Sequence, residues 1–155
     1  MTDRQVKLPV PGVELADQDL PVLFGMMIFG EARGELYGAK VGVGSVAMNR
    51  ATHPRWWGRD LRSVVLSPFQ FSCFDTSDPN YRKLFSPLRF EEPEIWDTCY
   101  LVAEDILRGN LLDITASADH YLDQSLFDKK KVPKWADPKK LTVQIGRLYF
   151  YRLYI

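Results

Sequence analysis

The chain has no net charge: twenty Lys and Arg residues balance twenty Asp and Glu in 155 residues. With a pI near 6.7, a global electrostatic attraction to nucleic acid or to an anionic membrane is excluded, and only local patches such as Lys129-Lys130-Lys131 stay open. Cysteine is scarce. Cys73 and Cys99 are the only two, nothing in their spacing demands a bridge, and two reduced thiols are expected. The two histidines, His53 and His120, stand far apart. A His-Glu-x-x-His zinc motif is therefore absent, and neither a metal nor another cofactor is expected. Long apolar runs are also missing. Residues 1–16 hold Asp3, Arg4, Lys7, Pro9 and Pro11 rather than a continuous apolar stretch, so they do not read as a secretory signal. The run from Leu20 to Phe29 is too short to span a bilayer. Synthesis in the cytoplasm without a signal peptide is expected, with no stable membrane insertion and with delivery to any outside target by another agent. No internal repeat or low-complexity segment is visible.

What is present suits one packed domain. Hydrophobic residues make up 46% of the chain and aromatics 13%, enough for a core of ordinary size. Residues 1–16 read as an arm, and residues 17–155 as a single domain. Asp17 or Asp19 can cap a helix with Pro21 in its first turn, running to about Arg33 with Gly34 as its stop. Its apolar residues go nearly all round, which predicts burial at the centre. A second helix is expected from Glu35 to Arg50. It contains Gly38 and Gly42 on one face and Gly44, each costing about 1 kcal/mol relative to Ala, which points to close helix–helix approach. Asp60 can cap a short helix over Leu61 to Leu66. Phe69 to Phe74 alternates large and polar residues and predicts an extended segment. Asp75 to Pro87 is turn-rich. Pro93 opens a helix stopped by Gly109. Ala116 to Leu122 predicts a strand, and Leu141 to Ile155 one or two closing strands broken at Gly146. The expected fold class is α+β, mainly helical with a small antiparallel sheet.

Glu31 sits where the first, apolar helix ends. A carboxyl moved there from water into a partly apolar cleft loses hydration, which disfavours the charged form and holds the proton. Such a group is a candidate general acid. A charged helix terminus with two solvated glutamates, Glu31 and Glu35, is the plainer alternative.

Separated blocks then carry a resemblance. Glu31-Ala32-Arg33-Gly34-Glu35 is followed by Val43 to Arg50, ending in Asn49-Arg50. Ser63-Val64-Val65 comes next with Gln70-Phe71-Ser72, then Ala118-Asp119-His120-Tyr121 and Pro133-Lys134-Trp135-Ala136. Ile145-Gly146 with Phe150-Tyr151 closes the series. In order and spacing, over roughly residues 20–151, this chain resembles the cell-wall hydrolase family of spore-cortex-lytic enzymes and related phage endolysins. The resemblance implies a lysozyme-like domain that cuts peptidoglycan between N-acetylmuramic acid and N-acetylglucosamine as a lytic transglycosylase. It makes Glu31 the catalytic acid. Gln70 and Ser72 become candidates to bind sugar acetamido groups or to orient Glu31, the alternative being satisfied core or turn residues. Tyr121 and Trp135 offer flat faces to sugar rings, though aromatics also fill cores. His120 is expected to make a structural or substrate hydrogen bond rather than to act as base. Asn49 is a further binding candidate, or a helix cap. Trp56 and Trp57 can rim the groove or be buried under their loop.

One departure stands out. Where the family carries Gly-x-His, this chain has Gly146-Arg147-Leu148. Leu148 neither titrates nor donates, so the departure touches the fine mechanism. The implied partner is the peptidoglycan glycan strand, with no nucleic acid, and the protein is expected to be a monomer. Its expected setting is a phage endolysin acting on the wall after release from the host cytoplasm. The rivals are a hydrolytic muramidase with a second carboxylate and a non-catalytic glycan-binding or phage structural protein on the same fold.

Overall fold

The computed structural model describes residues 4–67 and 70–155. At its centre lies α1 (Leu20–Ala32), in which every residue from Val22 to Phe29 is buried. A helix with no polar face must be enclosed on every side, and α2 (Tyr37–Thr52), α3 (Leu61–Leu66) and α4 (Pro93–Leu107) enclose it. Pro21 occupies the first turn as expected. The expected cap is not made: Asp19 holds the N-cap position without a side-chain cap bond, and its carboxylate lies 3.5 Å from Lys7 instead. Asp60 does cap α3, in a reciprocal box: it accepts from the Ser63 N–H at 2.8 Å, and its own N–H donates to Ser63 Oγ at 3.1 Å.

The glycines of α2 divide their work differently from the expectation. A Cβ on Gly42 would lie 2.5 Å from Cζ of Phe150, and one on Gly38 would lie 3.2 Å from Ile145. That face therefore meets the sheet, not another helix. Gly44 is the helix–helix contact, since a Cβ there would lie 2.6 Å from Ile106 of α4 and 3.2 Å from Ile28 of α1.

The sheet has three antiparallel strands in the order β1 (His120–Asp123), β3 (Leu148–Tyr151), β2 (Leu141–Ile145). The closing segment thus forms two strands joined at Gly146 and Arg147, and Gly146 supplies the positive φ of 59° that this tight turn needs. β1 begins later than Ala116. The Asp113 carboxylate takes the N–H groups of Thr115 and Ser117, both at 2.8 Å, and the chain there turns through positive φ at Ala116 and Ser117. A short helix the sequence reading did not anticipate, α5 (Gln124–Asp128), follows β1 and is started by Asp123 accepting from the Ser125 N–H.

The expected extended segment at Phe69–Phe74 is instead a 3-10 turn at Ser72–Phe74, while Phe69 lies outside the described residues. Its alternation reflects burial of Phe71 and Cys73 with Ser72 exposed, achieved against α1 without a neighbouring strand. Residues 4–7 lie against α4, and the chain then turns to Gln18, whose side chain bonds Val10 and Val13. Arg4 reaches Glu104 and Asp105, each at 2.7 Å, and Trp96 Nε1 donates to the Lys7 carbonyl at 2.9 Å.

Candidate active site

The last turn of α1 presents Glu31 to a groove of about 410 Å³. The carboxylate is held from two sides. Tyr121 on β1 donates its hydroxyl to Oε1 at 2.5 Å. The Cys73 N–H donates to Oε2 at 3.3 Å, and Ser72 Oγ stands 3.5 Å from the same oxygen. These contacts fix the position of the carboxylate in the groove.

The Tyr121 and Cys73 side chains beside Glu31 keep their own protons. Burial, together with the Glu31 charge it bonds, pushes the Tyr121 phenol well above its ordinary value. Burial and the same carboxylate push the Cys73 thiol up. Cys73 is set against Glu31 by Gly30, where a Cβ would lie only 2.5 Å from Cys73 Cβ. Neither cysteine is in a disulfide, and both are buried.

Arg50, near the end of α2, forms the floor beside Glu31. Its guanidinium lies between the Trp57 and Phe71 rings, 5.5 Å from each centroid. It donates from Nε to the Asp119 carbonyl at 2.7 Å and from Nη1 to Gln70 Oε1 at 3.3 Å. Burial lowers its pKa, offset by Tyr121 and Asp119, yet a guanidinium stays charged. Because Gln70 accepts through its oxygen, its amide N–H₂ is the end available to a ligand.

Asp119 sets the opposite wall. It is fully buried and accepts from the backbone N–H groups of Leu153, Tyr154 and Ile155 at 2.9, 2.7 and 3.2 Å, and from His120 Nδ1 at 2.9 Å. Burial alone would raise its pKa, but these bonds outweigh it and hold the carboxyl at about 2. The clamp brings Leu153 and Tyr154 into the groove. There Tyr154 packs 6.3 Å from Trp56 and 6.0 Å from His120, and His120 packs 4.9 Å from Trp135. Trp56 is 59% exposed and rims the groove. Trp57 is buried beneath it, its Nε1 donating to the Arg50 carbonyl at 2.9 Å.

Of the residues singled out by sequence, Glu31, Gln70, His120, Tyr121 and Trp135 therefore share one groove. Tyr121 and His120 both reach it although they are neighbours on β1. Ser72 touches Glu31 but lines an adjoining hollow with Phe74 and Asp75. Asn49 does not line the groove. Its amide donates to the Ala118 carbonyl at 2.9 Å and to Asp113 at 3.2 Å, tying α2 to the loop before β1. Leu148, the departure from the family pattern, is buried in the main core, so that change does not reach the groove. Arg50, Leu153 and Tyr154 were not singled out. Arg50 closed one of the ordered blocks, and a lone arginine on an otherwise apolar helix face was its local signal. The tail residues gave none, because the clamp that places them is made by backbone groups. Among the described residues no group of three or more His, Cys, Asp or Glu could hold a metal ion, and no helix is long and apolar enough to cross a membrane.

Comparison with known proteins places the fold. The chain is similar to the catalytic domain of the germination-specific lytic transglycosylase SleB from Bacillus anthracis, with a TM-score of 0.62 and 22% identity over 92% of this chain and 99% of that one. It is likewise similar to the catalytic domain of the Bacillus cereus SleB protein, with a TM-score of 0.63 and 22% identity over 93% and 95% of the two chains. No curated protein matches in sequence. The family described as Cell Wall Hydrolase matches residues 34–151, a stretch that contains every groove residue named above except Glu31, Leu153 and Tyr154. The chain belongs to the cell wall hydrolase family.

Proposed function

We propose that the chain cleaves peptidoglycan between N-acetylmuramic acid and N-acetylglucosamine as a lytic transglycosylase, with Glu31 as acid and then base. The observation that carries this reading is that Glu31 is the one carboxylate lining the groove among the described residues. Glycoside hydrolysis by the common routes needs two carboxyl groups flanking the bond. Asp75 lies on the adjoining hollow, and its carboxylate is tied to the Ser77 N–H and hydroxyl at 2.9 and 2.8 Å. Glu35 lies beyond the end of α1, where the chain has left the helix.

A single carboxyl suffices when the substrate supplies its own nucleophile. Protonated Glu31 gives its proton to the glycosidic oxygen as the bond from C1 breaks. The carboxylate so formed takes the proton of the muramyl C6 hydroxyl, whose oxygen bonds to C1. A 1,6-anhydro end results, the second product leaves with its hydroxyl, and no water is consumed. Tyr121 and the Cys73 N–H stabilise the carboxylate between the two transfers, an arrangement aimed at charge that develops during reaction. Trp56, Trp135 and Tyr154 offer apolar faces to sugar rings, while the Gln70 N–H₂ and the His120 ring edge offer polar contacts.

The setting we propose is that of a phage endolysin, monomeric, made in the host cytoplasm and acting on the wall after release. It is supported by the likeness of the sequence blocks to that group. The catalytic assignment is tested by Glu31→Gln, which keeps shape and removes the proton donor. Clearing of purified sacculi is expected to stop with the fold intact; clearing at the wild-type rate would overturn the assignment.

A further inference from the structure

Charge cancels over the whole chain but not along it. Residues 129–155 hold eight Lys and Arg against the single acid Asp137, and residues 1–128 hold twelve against nineteen. The final segment therefore carries a formal +7 and the rest −7.

The fold gathers this excess rather than diluting it. Leu122, Ala136 and Tyr151 form a satellite core apart from the main one, with Trp135 and Leu126 packed against it. The basic segment wraps that core. The Lys131 N–H donates to the Leu126 carbonyl at 2.8 Å, which turns the chain back after α5. The Arg152 N–H donates to the Lys140 carbonyl at 2.9 Å, which brings Lys139 and Lys140 against the end of β3. Lys129, Lys130, Lys131, Lys134, Lys139 and Lys140 are all exposed. Among the described residues none of the six is paired with a carboxylate, whereas Arg147 is met by Asp123 at 3.3 Å.

Six ammonium groups on the segment wrapping one small core repel one another wherever they come within the Debye length, about 8 Å at physiological salt. Such self-repulsion opposes the compact state, and the lobe's packing makes no use of the charges. The surface also meets the groove: Lys134 directly precedes Trp135, which lines it. A chain lying against Trp135 would carry its side groups past Lys134, at the edge of this surface.

We propose that this lysine surface binds anionic groups of the cell wall, phosphodiesters or carboxylates borne by the polymer in the groove, and so holds the enzyme on an insoluble substrate. The partner's identity rests on the peptidoglycan reading; the surface is distinct from Glu31.

The test uses full-length Glu31→Gln as a non-cleaving binder, sedimented with purified sacculi at about 50 and about 200 mM salt. Binding is expected to fall at least about tenfold between the two. Changing Lys129, Lys130, Lys131 and Lys139 to Gln in that background is expected to weaken low-salt binding about tenfold or more and to flatten the salt dependence. With native Glu31, the same four changes are expected to leave cleavage of short soluble glycan fragments, which do not need to be held on an insoluble wall, unaltered. Sacculi stripped of phosphodiesters by hydrofluoric acid separate the sources: lost binding assigns the phosphodiesters, retained lysine-dependent binding assigns the carboxylates, and either supports the proposal. Sacculus binding indifferent to lysine and salt overturns it, as does lysine-dependent capture of duplex DNA with none of sacculi. If the wild type fails to cut the soluble fragments, the peptidoglycan reading falls, while the sacculus experiment still reports on the lysines.

Discussion

Gly30→Ala tests the geometry that delivers the Cys73 N–H to Glu31. A methyl at position 30 would lie 2.5 Å from Cys73 Cβ, 2.7 Å from Cys73 Sγ and 2.8 Å from Leu84 Cδ2. Ordinary carbon contacts need about 3.5 Å or more, so the Ser72–Phe74 turn must retreat by about 1 Å. Leu84 can swing its terminal methyl aside; Cys73 cannot move without carrying its backbone N–H from Glu31. Overpacking costs about 1–3 kcal/mol, and Ala in place of a helical Gly returns about 1 kcal/mol. The net destabilisation is about 0–2 kcal/mol, a fall in Tm of a few degrees for a chain of this size. The functional loss should be larger, because displacement of a catalytic contact by about 1 Å can cost about a hundredfold. The assay is kcat/KM on soluble glycan fragments beside a thermal melt, repeated for Gly30→Ala with Cys73→Gly, which removes the atoms struck. The double variant should recover most of the lost rate. Full activity in the single variant, or no recovery in the double, would refute the reasoning.

Three further outcomes follow from the site. Tyr121→Phe removes the hydroxyl that donates to Glu31 at 2.5 Å; a hydrogen bond to a charged acceptor contributes about 1.5–3 kcal/mol, so kcat should fall roughly ten- to a hundredfold with little change in Tm. Trp56→Ala removes an exposed rim ring and about 1 kcal/mol of stacking, which should raise KM roughly fivefold and leave kcat alone in steady-state assays. Asp119→Asn bears on acid stability. The native carboxyl is depressed to about 2, so its contribution of about 2 kcal/mol is present above the unfolded-state value near 4 and lost as pH falls through 2. In denaturant titrations across that window the wild type should lose stability more steeply than the variant, and equal slopes would contradict the clamp.

The sequence made the core easier to read than the groove, for physical reasons. A helix apolar all round, α1, has one destination, and the Asp60–Ser63 box marks the start of α3 locally. A carboxylate ending such a run drew notice to Glu31, but the residues alone fitted a solvated helix terminus as well, and only the ordered blocks favoured it. Gln70, His120, Tyr121 and Trp135 came from ordered blocks rather than local chemistry, since each residue type fits a core or a turn equally well. What stayed hidden depends on partners remote in sequence. The Gly38–Gly42 face reads the same whether a helix or the sheet covers it, and only the fold places Phe150 there. The left-handed turn at Ala116–Ser117 is imposed by Asp113 from outside the expected strand. Tyr154 reaches the groove because Asp119, a buried acid, gathers three N–H groups from the tail.

Mass spectrometry of the fragments released from purified sacculi by the wild-type protein tests the central claim most directly. A single carboxylate acting as acid and then base predicts muramyl ends in the 1,6-anhydro form, lighter by one water than hydrolytic products. Reducing muramic acid ends instead would show that water is the nucleophile and would contradict the claim.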